Sequence, residues 1–140
     1  MAFTYGVNAQ KLKEKDVPSA VKTAFTAMYP DAKQIKWEME DKKYEGEFKA
    51  NNVESSALFE ANGTYVQTET EIPVSSLPEA VSEYLSKNLA GKKIKEAAKI
   101  TDVKGTVTYE AEVGGSDYLF DSNGSFLSKS TDSNDNDDEK

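Results

Sequence analysis

The feature that most constrains the fold is a repetition. "LFEANGTYV", Leu58 to Val66, returns as "LFDSNGSFL", Leu119 to Leu127, sixty-one residues later. The match extends backwards, since "VPSAV" at Val17 is answered sixty residues on by "LPEAV" at Leu77, and "YEGEF" at Tyr44 by "YEAEV" at Tyr109. A period this long exceeds the roughly 20 to 50 residues of solenoid units, so it reads as a duplicated subdomain.

Within each copy the hydrophobic pattern names the elements. "DVPSAVKTAFTAMYP" places Val17, Val21, Phe25 and Met28 at helical intervals, with Asp16 as expected N-cap, Pro18 in the first turn and Tyr29-Pro30 as the stop. "SLPEAVSEYLSKNLAG" repeats the scheme with Val81, Leu85 and Leu89, a capping box from Ser76 to Glu79, Pro78 in the first turn and Gly91 at the end. "QIKWEMED" and "KKYEGEFK" then alternate apolar and charged residues, as "TVTYEAEV" does in the second copy, and so predict half-buried antiparallel strands. The expected architecture is α+β: two tandem repeats, each one helix followed by an antiparallel meander of about four strands, with the helices packed on one face of the sheet. The boundaries are 1–10 for a leader or signal remnant, 11–73 and 74–130 for the repeats, and 131–140 for a disordered acidic tail.

The Asn-Gly pairs, Asn62-Gly63 and Asn123-Gly124, suit two-residue type I′ turns. That register pairs Phe59 with Val66 and Phe120 with Leu127, and it sends Leu58, Tyr65, Leu119 and Phe126 to the opposite face. If that face is open, these four residues are candidates for protein binding; the alternative is that strand twist or the other half covers them.

Composition excludes several chemistries. The chain has no cysteine and no histidine among its 140 residues, so it offers no thiolate or imidazole as nucleophile, base or metal ligand. No catalytic residue, cofactor site or metal site is expected. Its formal charge is −8, half of it from Asp132, Asp135, Asp137, Asp138 and Glu139 set against Lys140, which disfavours nucleic acid as a partner. The tail segment "DSNDNDD" opens like a calcium loop, but Asp137 stands where the glycine belongs and no glutamate closes it, so a solvated tail is expected. Glu38 with Glu40, and Glu45 with Glu47, could be imagined as a carboxylate pair for acid–base chemistry; the plainer reading is the wet side of strands whose dry side carries Trp37, Met39, Tyr44 and Phe48. Trp37 reads as a core anchor. No apolar run reaches membrane-spanning length, and "VNAQ" at Val7 looks either like a small-residue export cleavage site or like part of a flexible leader.

The ordered set "AQKLKEKDVPSAVKTAFTAMYPDAKQIKWE", "YEGEFK", "LFEANGTYV", "TEIPVSSLPEAV", "KIKEAAKI", "YEAEV" and "LFDSNGSFL" resembles the PepSY-like, beta-lactamase-inhibitor-protein-like family of exported Bacteroidetes proteins, from about Ala9 to Ser130. The resemblance implies a periplasmic or secreted, non-catalytic, protein-binding or inhibitor-like module, with an envelope or secreted protein such as a peptidase as partner. A small-ligand or peptide carrier is the alternative, and it would need an enclosed apolar pocket.

Overall fold

Each proline-led helix start is built the same way. Pro18 and Pro78 occupy the N-cap itself with ψ near 140°, and the residue before each is held extended by the proline ring, so Val17 and Leu77 turn inward and are buried. A computed structural model describes residues 10–131. In it helix α1 spans Ser19–Met28 and α2 spans Glu79–Asn88, each preceded by a short 3-10 turn, Glu14–Asp16 and Val74–Ser76. The expected side-chain caps are not made: Asp16 and Ser76 lie in those turns, and the Pro18 carbonyl accepts from the N–H groups of Val21 and Lys22, the third and fourth residues of α1. A proline that cannot donate costs nothing at this position, and its fixed φ presets the entry.

The strands are β1 (Gln10–Leu12), β2 (Lys33–Glu40), β3 (Lys43–Ala50), β4 (Val53–Phe59), β5 (Tyr65–Ile72), β6 (Ile94–Asp102), β7 (Val107–Val113), β8 (Ser116–Asp121) and β9 (Phe126–Thr131). They form a nine-stranded antiparallel sheet in chain order. This corrects the expected architecture. In place of two tandem units of one helix and about four strands, with helices laid on one face, the protein is a nine-stranded sheet with two ten-residue helices. Two physical facts account for the difference. Gln10–Leu12, of which only Gln10 falls in the expected leader and Lys11 and Leu12 in the first expected repeat, pairs with β2 as a further strand too short to show alternation, and both helices stop after fewer than three turns. Positions 1–9 and 132–140, which include most of the expected leader and nearly all of the acidic tail, lie outside the described residues.

By contacts the chain divides into two compact units, one comprising residues up to Thr70 together with Thr101–Gly105, the other Glu71–Ile100 together with Thr106 onward. In the first, Val17, Val21 and Phe25 close over Trp37, Phe48, Ala57 and Phe59. Phe25 is the hub, with Trp37, Phe48 and Phe59 edge-on to it at 5.2, 5.2 and 6.2 Å. Gly46 makes room for this ring: a Cβ there would stand 2.9 Å from Phe25 Cε2 and 3.1 Å from Trp37. In the second unit Leu77, Val81 and Leu85 pack with Ala97, Ala111, Val113, Tyr118 and Phe120. There the smaller Leu85 takes the place of Phe25 in the repeat, and Ala111 the place of Gly46. Volume is traded within each copy.

Candidate functional site

The recurrent hairpins decide which side chains share a face. Gly63 N–H donates to Glu60 O and Glu60 N–H to Thr64 O, both at 2.9 Å, so the connection is the three-residue Ala61–Gly63 and not a two-residue turn. Gly63 has φ +90° while Asn62 stays at negative φ, the pattern of a type I turn closed by a left-handed glycine. The second copy repeats it with Gly124 to Asp121 and Asp121 to Ser125, and the Asp121 carboxylate accepts from the N–H groups of both Asn123 and Ser125 at 2.9 Å. Type I′ turns do occur, at Asp41-Lys42, Asn51-Asn52 and Gly114-Gly115, each pair with φ positive at both residues.

One extra loop residue moves the register by one and reverses the faces. Phe59 pairs with Tyr65, and Phe120 with Phe126, across a bulge. This corrects the expected placement of Tyr65 and Phe126, which lie with Phe59 and Phe120 and not beside Leu58 and Leu119. Tyr65 packs edge-on against Phe59 at 5.9 Å, its hydroxyl lies 2.6 Å from Thr68 Oγ1, and it donates to Thr101 O at 3.4 Å. Burial pushes its phenol pKa up, with the Thr68 hydrogen bond working against the rise. Phe126 stacks on Tyr84 at 4.8 Å with ring planes 7° apart, and keeps 40% of its surface exposed.

Leu58 and Leu119 are on the other face, and their neighbours are acidic. Leu58 lies opposite Glu45, which in turn lies opposite Glu38, while Glu47 lies opposite Ser56 and Ser56 opposite Glu69. In the second unit Leu119 lies opposite Glu110, and Glu112 opposite Asp117. Glu45 does not belong to a wet side. It is only 2% exposed, its Oε2 has no hydrogen-bond partner among the described residues, and its pKa is pushed up to about 10, first by burial and then by Glu38, Glu69, Glu40 and Glu47. Burial followed by Glu38 raises Glu47 as well, and burial followed by Glu112 raises Glu96 in the second unit. Trp37 is buried in the core as expected of an anchor.

Among the described residues no group of three or more acidic side chains is placed to hold a metal ion, and no helix is long and apolar enough to cross a membrane. The first unit carries a solvent-open cleft of about 590 Å³ where α1 ends, lined by Met28, Tyr29, Ala32, Lys33, Lys49 and Asn51 among others. Sequence reasoning passed over it, although two consecutive polar residues, Lys33 and Gln34, precede the alternation that starts at Ile35 and stand at the bulge beside it.

Comparison with known proteins places the chain. No curated protein matches it. Among solved structures, a Bacteroides fragilis protein described as BLIP-like is 26% identical, with TM-score 0.63 over 86% of this chain and 90% of that one. A Bacteroides eggerthii protein described as periplasmic is 20% identical with TM-score 0.72, and a DUF2874 family protein of Bacteroides uniformis is 21% identical with TM-score 0.72. Each of these two is matched over 81% of this chain and 88% of the other. The family model described as beta-lactamase-inhibitor-like and PepSY-like matches residues 6–55 and 47–128. The duplicated helix starts, the paired hairpins and the antiparallel sheet are therefore those of a family, and the chain belongs to the PepSY-like, beta-lactamase-inhibitor-like family.

Proposed function

We propose that the protein is a non-catalytic, inhibitor-like module of the periplasm or cell exterior that binds a protein partner, such as an envelope or secreted peptidase. The observation that carries this reading is repeated in both units: a leucine, Leu58 or Leu119, is set on the sheet face turned away from that unit's buried aromatics and lies directly opposite a glutamate, Glu45 or Glu110. Leu58 and Leu119 are half-buried and so leave apolar surface for a partner, while Glu45 is buried and forms no part of an exposed rim. Family membership supports the inhibitor-like part, and the likeness to proteins described as BLIP-like and periplasmic supports the location. Of the four residues first singled out, Leu58 and Leu119 belong to this surface; Tyr65 and Phe126 act through packing. A carrier of small ligands would need an enclosed apolar cavity, and the 590 Å³ cleft is open.

The test is capture of partners from an envelope fraction by the purified protein, repeated with Leu58→Asp and Leu119→Asp. A partner retained by the parent and lost by folded variants supports the surface. Retention by both variants with unchanged affinity overturns it, since truncating a true interface anchor costs about 2 kcal/mol or more.

A further inference from the structure

The two copies differ in what lies beyond their last strand. By the sixty-one-residue offset β9 is the counterpart of β5, and both carry the same bulge: Phe59 pairs with Tyr65 but Leu58 with Gln67, and Phe120 pairs with Phe126 but Leu119 with Ser128. In the first unit the outer edge of this strand is covered. Val103 N–H donates to Val66 O at 3.0 Å, Thr101 O accepts from the Tyr65 hydroxyl at 3.4 Å, and Tyr65, Val66, Gln67 and Thr68 are all half-buried. In the second unit β9 ends the sheet, with no strand beyond it among the described residues, and Phe126, Leu127, Ser128, Lys129 and Ser130 are all exposed. Leu127, the bulge residue, holds the place from which the Val66 carbonyl accepts, and strand alternation turns the N–H and C=O of Lys129 to the same open side.

A free edge strand is a ready surface for pairing, and proteins blunt such edges with short strands, bulges or charges. The other edge, β1, is only three residues long. The bulge does not close β9, because β5 carries the same bulge and accepts a hydrogen bond there. Nor does the charge: the Lys129 ammonium is drawn back over β8, 5.6 Å from the centre of the Tyr118 ring. One exchange between the copies sets what the edge prefers. Tyr65 meets its covering segment with a hydroxyl, whereas Phe126 offers a bare ring, 40% exposed and stacked on Tyr84. Immediately after β9 the sequence carries five acidic residues against Lys140, which attracts a basic segment and repels a second copy bearing the same acids. We propose that the open edge of β9 takes an extended, basic segment of a partner protein as an added strand. Its backbone pairs with Leu127 and Lys129, and one of its apolar side chains rests against Phe126 and Tyr84.

The probe is the chain's own covering segment in synthetic form: a capped heptapeptide with the sequence of residues 99–105 and Asp102→Lys, titrated into the full chain and followed by backbone amide shifts. Saturable shifts at Leu127–Ser130 are expected. Methylating the peptide nitrogen that corresponds to Val103 removes the donor and should weaken binding about tenfold. Lys129→Pro, which removes an outward N–H from an edge strand, should do the same while leaving the amide shifts of α2 unchanged. An acidic peptide, with Asp102 kept and both lysines changed to glutamate, should bind at least tenfold more weakly at low salt. Equal binding of the methylated or the acidic peptide, shifts at Tyr65–Thr70 in place of β9, or no saturable shift up to about 5 mM each overturns the proposal. So does dimerisation of the chain alone that Lys129→Pro abolishes, since the occupant would then be a second copy. None of these changes touches Leu58 or Leu119, so a failure here leaves the sheet-face reading to its own test.

Discussion

Substituting Gly63 by alanine tests why the same hairpin is used in both copies. Gly63 sits at φ +90°, a conformation that costs an L residue about 1 to 2 kcal/mol. Its added Cβ would stand 2.6 Å from the carbonyl oxygen of Ala20 and 3.0 Å from that carbonyl's carbon, closer than such atoms approach. The obstacle is backbone in the first turn of α1 and cannot swing aside; overpacking of this kind adds about 1 to 3 kcal/mol. The sum is about 3 kcal/mol. Gly105 supplies the control, since it has φ +84° with nothing within 4 Å of its added Cβ, so Gly105→Ala meets only the first cost, about 1 kcal/mol. Urea denaturation of parent and both variants reads the difference, with an unchanged m-value showing that the unfolded state is the same. In thermal melts, at about 3 °C per kcal/mol for a chain of this size, the losses should be about 10 °C for Gly63→Ala and about 3 °C for Gly105→Ala. Equal losses in the two variants would refute the docking of the turn against α1 and leave only the backbone preference. Gly124→Ala should follow Gly63→Ala, because its Cβ would meet Ala80 Cβ at 2.8 Å.

Other expectations follow from the cores and the buried carboxyl. Gly46→Ala should destabilise by about 1 to 3 kcal/mol, and adding Phe25→Leu, which recreates the Leu85 and Ala111 pairing of the second unit, should recover part of the loss in a double-mutant cycle. Glu45, whose folded pKa is raised to about 10 from an ordinary 4.5, holds a proton in the native state that the unfolded chain releases above about pH 4.5. The native state therefore binds more protons between those values, and stability falls as pH rises through that window, by at most about 1.4 kcal/mol per pH unit. Glu45→Gln should flatten this dependence and gain most at high pH, as urea titrations at pH 5, 7 and 9 would read; a gain independent of pH would contradict it. A fragment of residues 11–73 should fold poorly, because its first unit lacks the Val103 N–H donated to Val66 O and the Thr101 carbonyl that Tyr65 reaches. Cooperative unfolding of that fragment by circular dichroism would count against the assignment of Thr101–Gly105 to the first unit.

What could be read from the chain was local, and what could not was register. The helix starts at Pro18 and Pro78 and the alternation around Trp37 and Phe48 are written in short windows, because a proline and a two-residue period act on their immediate neighbours. The sequence locates the hairpins but does not set their pairing. An Asn-Gly dipeptide serves a two-residue turn and a three-residue turn equally well, and the choice rests on contacts outside the dipeptide: the Asp121 carboxylate gathering two amides, and the fit of Gly63 against Ala20. Tyr65 and Phe126 changed faces on that choice alone. The burial of Glu45 was illegible for a similar reason, since alternation assigns a face but does not say what lies over it.

The pairing of Phe25 with Gly46, and of Leu85 with Ala111, also makes the two positions in each unit interdependent. A methyl at position 46 would stand 2.9 Å from the Phe25 ring, so the ring tolerates only glycine beneath it, whereas a leucine there would leave room for alanine. A change at either position of the first unit is therefore read through the other, and a phenylalanine placed at position 85 with Ala111 unchanged would overfill the second core.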